Sequence, residues 1–173
     1  MRTKLIITTF LVFSIHGILF DPYFGYNRLH DTIYKNMTVE MYMAMSRACY
    51  EKKGNLLMML AIGKSETDFE NTMKNGFDSG VWQINIKQAE QMGVPLTYFL
   101  NIRNCAYKAV SIYNSALKKS KGDLELTLAY YNAGENANIT NYKKSGKWNK
   151  YVPVIMKNYY RSKEIISSKV IVK

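Results

Sequence analysis

Apolar positions recur along most of this chain at helical spacing, and each stripe ends in a recognisable stop. Thr38 is placed to cap a helix with Glu40 in its first turn. The stripe Met41, Met45, Ala48 and Cys49 carries it to about Lys52, and Gly54 ends it. Asn55 caps the next segment, where Leu56, Met59, Leu60 and Gly63 share one face with Leu57, Ala61 and Lys64 beside it. That pattern predicts a largely buried helix, with Glu66 arriving in its last turn. Residues 71–79 read as a loop, on Asn75, Gly76, Asp78 and Ser79. Gly80 to Asn85 reads as extended or as a tight turn. Ile86 to Met92 reads as a short helix stopped by Gly93, with Pro95 beyond.

Asn101 to Lys119 is the longest amphipathic segment, with Ile102, Ala106, Ala109, Ile112, Tyr113, Ala116 and Leu117 as its stripe. Gly122 stops it, and Asp123 caps a helix from Leu124 to about Tyr131 that Asn132-Ala133-Gly134 ends. A weaker helical stretch covers Asn136 to Lys144. The last helix starts near Tyr151, with Pro153 in its first turn, and runs to about Ile166. Residues 21–37 are tyrosine-rich without clear periodicity and read as a linker. Six or seven short helices, few strand signals and no repeat predict an all-α single domain over residues 38–166. A basic tail, residues 167–173, follows.

Composition narrows the function. With 173 residues and 47% apolar content, the chain has enough material for one packed core. Its formal net charge of +11 draws it to acidic polymers. Its lysines are scattered, with no run of five or six, so no nucleic-acid arm is expected. Arg2 and Lys4 precede an apolar run from Leu5 to Phe20. Residues 1–20 therefore read as an export signal or an uncleaved N-terminal anchor. Two cysteines, Cys49 and Cys105, permit one disulfide in an exported chain, yet both fall in predicted helices where a free thiol also packs well. With His16 and His30 they make no metal site.

Glu66 is the residue with chemical promise. A carboxylate at a helix C-terminus meets negative partial charge, and the apolar run before it favours the neutral form. A carboxyl group kept protonated near neutral pH can act as a general acid. The ordinary alternative is a solvated glutamate at a fraying helix end. Three stretches break the helical pattern with polar or glycine residues: Ser65-Glu66-Thr67-Asp68-Phe69, Gly80-Val81-Trp82-Gln83-Ile84-Asn85 and Ala129-Tyr130-Tyr131-Asn132-Ala133-Gly134.

In this order and spacing these stretches resemble the lytic transglycosylase domain (SLT-type, goose-lysozyme-like). That family shows E-S-x-F, then G-[LVM]-[MW]-Q-[IV], then N-I before a long helix, then A-x-Y-N-A-G. Here they read Glu66-Thr67-Asp68-Phe69, Gly80-Val81-Trp82-Gln83-Ile84, Asn101-Ile102 and Ala129 to Gly134, with Tyr151-Val152 as the closing Tyr-Val. The resemblance covers about Thr38 to Tyr160, and the short length and export signal look most like the enzymes that accompany secretion and pilus machines. It implies a lysozyme-like helical domain with a substrate groove, in the periplasm or cell envelope of a bacterium. It implies cleavage of the β-1,4 bond between N-acetylmuramic acid and N-acetylglucosamine in peptidoglycan strands, closing a 1,6-anhydro ring. Glu66 is the implied acid and then base, with Tyr131 orienting it. The implied substrate contacts are Thr67, Gly80, Gln83, Tyr131, Asn132 and Tyr151. No metal or cofactor is implied, and a monomer is expected.

The chain departs from the family pattern at three points. Thr67 stands where serine is usual, keeping the hydroxyl. The segment between Phe69 and Gly80 is short and lacks the usual Asn-Pro. Cys105 sits near a usual Gly-Ala. Trp82 reads as a core anchor more than a sugar platform. Two alternatives stay open. A hydrolytic muramidase would need a second carboxylate, with Asp68 and Asp78 as candidates. A non-catalytic peptidoglycan-binding or assembly protein would need no acid in an apolar setting.

Overall fold

The computed structural model describes residues 22–74, 76–133, 140, 148 and 150–168. Among these the chain is mainly helical. In chain order the elements are α1 (Pro22–Thr32), α2 (Val39–Lys52), α3 (Leu56–Thr67), β1 (Met73–Lys74), β2 (Asp78–Ser79), β3 (Ile84–Asn85), α4 (Ile86–Met92), a 3-10 turn (Leu96–Leu100), α5 (Ile102–Lys119), α6 (Leu124–Ala133) and α7 (Tyr151–Ser167).

Helix α3 lies at the centre. Asn55 caps it by accepting the Met58 N–H at 3.2 Å, and Met58 to Gly63 are all buried. Helices α2 and α7 pack on it, and the Trp82 indole donates to the Met59 carbonyl at 2.9 Å. Each fully buried Met, Leu or Ile contributes about 1.5–3 kcal/mol. Four such side chains, Met58, Met59, Leu60 and Ile62, outweigh the roughly 0.3–1 kcal/mol that a carboxylate loses at a helix C-terminus. The burial of α3 therefore decides where Glu66 sits. Helix α5 buries Cys105, Ala106, Ala109, Val110, Tyr113 and Ala116. These are mostly small, so α2 and α6 pack closely on that face.

Several expectations hold. Thr38 accepts the Met41 N–H at 3.2 Å, Asn101 that of Asn104 at 3.1 Å and Asp123 that of Leu126 at 2.9 Å. Trp82 is fully buried.

Others need correction. Residues 21–37, read as a linker, contain α1, and Leu29, Ile33, Tyr34 and Met37 are buried in the common core. The Tyr34 hydroxyl pairs with Ser162 of α7 at 2.6 Å. Tyrosines spread the apolar signal over several faces, so burial comes from the partner helices and not from a stripe. The 71–79 loop contains a hairpin instead, with Met73 opposite Ser79 and Lys74 opposite Asp78. Ile84 pairs with Ser79, so β3 completes an antiparallel sheet. Helix α2 ends on Lys53, in the left-handed region at φ 56°, one residue before the expected Gly54. Gly54 is needed for a different reason, since a Cβ there would lie 2.7 Å from Val110.

The disulfide that the two cysteines permit is not formed. Cys49 packs against Met45, with sulfurs 3.6 Å apart, and Cys105 sits 3.9 Å from the Ser79 carbonyl. Burial pushes each thiol up to about 12, which leaves both inert at neutral pH. The export segment 1–20, the weak helix at 136–144 apart from Thr140, Gly134 and residues 169–173 of the tail lie outside the described residues. Ser167 of the expected tail is the last residue of α7. Among the described residues no helix is long and apolar enough to cross a membrane.

Gly80 adopts φ 78°, and a Cβ there would lie 2.2 Å from the Phe99 carbonyl oxygen. Gly80→Ala combines left-handed strain with a backbone clash. It is expected to cost about 3 kcal/mol, read as a lower urea midpoint with an unchanged m-value.

Candidate functional site

Glu66 is held where the sequence predicts it, in the last turn of α3. The helix stops immediately after Thr67 because Asp68 and Phe69 both take the left-handed region, at φ 54° and 66°. For non-glycine residues this costs roughly 1–3 kcal/mol each. Contacts offset it. The Asp68 carboxylate accepts from Lys64 and, at 3.1 Å, from Asn36. The Phe69 ring is buried edge-on to Tyr34, centroids 5.3 Å apart.

Three hydrogen bonds stitch the turn after β2 to the helices around it. The buried Thr67 hydroxyl donates to the Val81 carbonyl at 2.9 Å. Trp82 donates to Met59, as above. The Tyr131 hydroxyl donates to the Trp82 carbonyl at 3.1 Å. Gln83 closes the turn at φ 47°, with its side-chain amide donating to the Gly80 carbonyl at 2.8 Å.

The Glu66 side chain receives its hydrogen bond from α7. The Tyr151 hydroxyl donates to Glu66 Oε1 at 2.6 Å, across 85 residues of sequence. Burial raises the Glu66 pKa above the ordinary carboxylate value. The Tyr151 bond and the Lys74 ammonium oppose that rise, and the Asp78 charge adds to it. Lys74 also donates to the backbone carbonyl of Glu66, which answers the exposed negative end of the helix. Burial, and then the Glu66 charge, push the Tyr151 hydroxyl well above its ordinary value, so it remains a donor. The same causes act on Tyr131.

The predicted site residues thus separate. Glu66 and Tyr151 meet. Tyr131, expected to orient Glu66 through its hydroxyl, instead holds the Trp82 carbonyl. Thr67, expected to contact substrate, is buried and fastens α3 to the turn, because its β-branched side chain points inward where the helix ends. Gly80, expected to let backbone approach a ligand, approaches Phe99 and Cys105. Gln83 is half-buried beside the turn, and Asn132 is exposed on the last turn of α6. Of the two candidate second carboxylates, Asp68 pairs away with Lys64. Asp78 sits on the hairpin, accepts from Asn85 at 2.8 Å and acts on Glu66 through its charge. Lys74 was missed by sequence reasoning. Nothing in a loop lysine eight residues downstream signals that a hairpin will return it to the helix end. Among the described residues no three His, Cys, Asp or Glu side chains gather to hold a metal ion.

The arrangement offers one carboxyl group that can exist in both forms. With Oε1 accepting from Tyr151, the acidic proton resides on Oε2. The raised pKa has a consequence for stability. A carboxyl whose folded pKa lies above its unfolded one stabilises the fold fully at low pH, and that contribution is lost as pH rises through the folded value. Glu66→Gln removes this dependence while keeping an acceptor for Tyr151. Its melting temperature relative to wild type is expected to rise as pH climbs from the ordinary carboxylate range through the raised folded value and to level off above it, measured by thermal unfolding at matched ionic strength.

Comparisons with protein-family models, with curated proteins and with solved structures return no match to this chain.

Proposed function

We propose that this protein is a lysozyme-like peptidoglycan lytic transglycosylase, exported to the bacterial cell envelope and acting as a monomer, of the kind that accompanies secretion or pilus machines. The observation that carries the reading is the 2.6 Å contact between Tyr151 and Glu66, made where burial favours the neutral carboxyl. The order of the four sequence motifs supports it.

In this mechanism Oε2 of protonated Glu66 delivers its proton to the glycosidic oxygen as the bond to C1 of N-acetylmuramic acid breaks. The substrate's own N-acetyl group stabilises C1. The Glu66 carboxylate then takes the proton of the C6 hydroxyl, and the C6 oxygen closes on C1 as the 1,6-anhydro ring. The carboxyl is restored, no water is consumed and no metal or cofactor takes part. Tyr151 serves both halves. Its bond to Glu66 strengthens when the carboxyl ionises, so it stabilises the base that the second half needs without abolishing the acid that the first half needs.

A hydrolytic muramidase on the same site is the second reading. It is favoured by one observation, the Asp78 charge acting on Glu66. Mass spectrometry of muropeptides released from purified cell wall separates the two. Wild type is expected to release anhydro-muramyl products and Glu66→Gln none. Reducing-end muramyl products would show hydrolysis with Asp78 as the base. No release by either, with binding retained, would leave a wall-binding protein.

Tyr151→Phe removes a donor worth about 1.5–3 kcal/mol to the ionised form. The expected result is a kcat lower by roughly 10–100-fold, with the pH limb governed by Glu66 displaced to higher pH. An unshifted limb would mean that Tyr151 does not tune Glu66.

A further inference from the structure

Away from Glu66, the outer ridge of α5 carries Arg103, Tyr107, Ser111, Ser115 and Lys119, each four residues from the last. This spacing sets them in one row of about 24 Å. Two cavities open along the row, of about 380 and 360 Å³. Lys108 and Ser111 line both, so the cavities adjoin. Gln88, Gln91 and Met92 of α4 and Tyr98 of the 3-10 turn form the opposite wall, and Tyr130 of α6 closes one end.

The charge along this row is one-sided. Among the described residues, Lys52, Arg103, Lys108 and Lys119 line the cavities together with one carboxylate, that of Glu51. Glu51 accepts from Arg47 at 2.8 Å, and the Tyr107 hydroxyl and the Arg103 charge also act on it, so one carboxylate is shared among several cations. Lys52 and Arg103 both lie over the Tyr107 ring, 5.9 and 5.8 Å from its centroid. Burial, and then the Lys52 charge, hold the Lys108 ammonium below its ordinary value. Like charges gathered around two cavities repel, and an anion seated among them relieves that repulsion.

We propose that this cationic groove is a second binding site, which anchors peptidoglycan through the carboxylates of its peptide stems. The proposal rests on the function proposed above for its choice of polymer. The lining matches that polymer in both of its parts. Amides and hydroxyls from Gln88, Gln91, Ser111, Ser115 and Tyr130 suit sugar hydroxyl and N-acetyl groups. The cations suit carboxylates set at intervals along a strand. A nucleic acid presents a charge about every 1.7 Å on a duplex, a density that four cations spread over the row do not match. Tyr130 lines the groove while its neighbour Tyr131 reaches Trp82 beside the catalytic turn, so the two surfaces meet on α6.

The test measures pull-down of the full-length protein on two forms of purified sacculi, one with intact peptide stems and one stripped of their carboxylate charge by carbodiimide coupling to an amine. Wild type is compared with Arg103→Gln/Lys108→Gln, which removes both charges and keeps polar side chains, after melting curves show both are folded. The double variant is expected to bind intact sacculi about tenfold more weakly, with a shallower salt dependence. On stripped sacculi the two proteins are expected to bind alike. The rate on a short stem-free glycan is expected to be unchanged. Equal binding to intact sacculi, or an equal loss on both forms, would overturn the proposal. So would a loss confined to duplex DNA, which would assign the groove to nucleic acid. A stem-dependent loss by a protein whose wild type releases no muropeptides would uphold this groove and refute the catalytic reading, so the two failures are distinguishable.

Discussion

The need to bury α3 on nearly every side organises this molecule. Six consecutive residues, Met58 to Gly63, are shielded from water, so the helix must be surrounded and cannot lie on a surface. Helix α7 and helix α2 pack on it, the Trp82 indole reaches its Met59 carbonyl, and Gly63 admits the Trp82 and Phe69 rings, which a Cβ would meet at 2.8 and 3.1 Å. Both ends of the helix are half-buried, and Glu66 stands in the C-terminal turn. A carboxyl group is thus carried to the edge of the core by a helix whose other contacts hold it in place.

That position is electrostatically poor for a carboxylate and useful for an acid. Desolvation and the nearby Asp78 charge favour the neutral form, while Tyr151 and Lys74 favour the ionised one. Burial is the largest of these influences, so the net displacement is upward, toward the neutral form. The surrounding backbone is strained at Asp68, Phe69 and Gln83. Strain of this kind persists only where packing over-determines it. Here the Phe69 ring, the Thr67 hydroxyl and the Tyr131 hydroxyl supply that packing.

The cation that acts on Glu66 and the cations of the α5 ridge are different groups. Lys74 alone enters the electrostatics of Glu66 among the cations named there, whereas four cations line the α5 ridge. The surroundings of Glu66 and the cationic row are therefore separate surfaces. Cations crowded beside Glu66 would favour its ionised form.

The sequence by itself determined the helices with strong local signals. Thr38, Asn55, Asn101 and Asp123 are caps that bond within three residues, so no tertiary information is needed to place them. The stripe of α5 and the last-turn position of Glu66 follow from helical periodicity in the same way. Tertiary structure decided everything that depends on what lies across the core. Helix α1 showed no stripe, and its place in the fold comes from packing against α2 and α7, contacts that no local pattern encodes. The hairpin at 73–79 is too short for alternation to declare it, and pairing alone makes it strand. The placing of Tyr131 and Tyr151 has the same origin. Both tyrosines stand in suggestive motifs, and only packing between elements distant in sequence brings the Tyr151 hydroxyl to the Glu66 carboxyl and the Tyr131 hydroxyl to the Trp82 carbonyl.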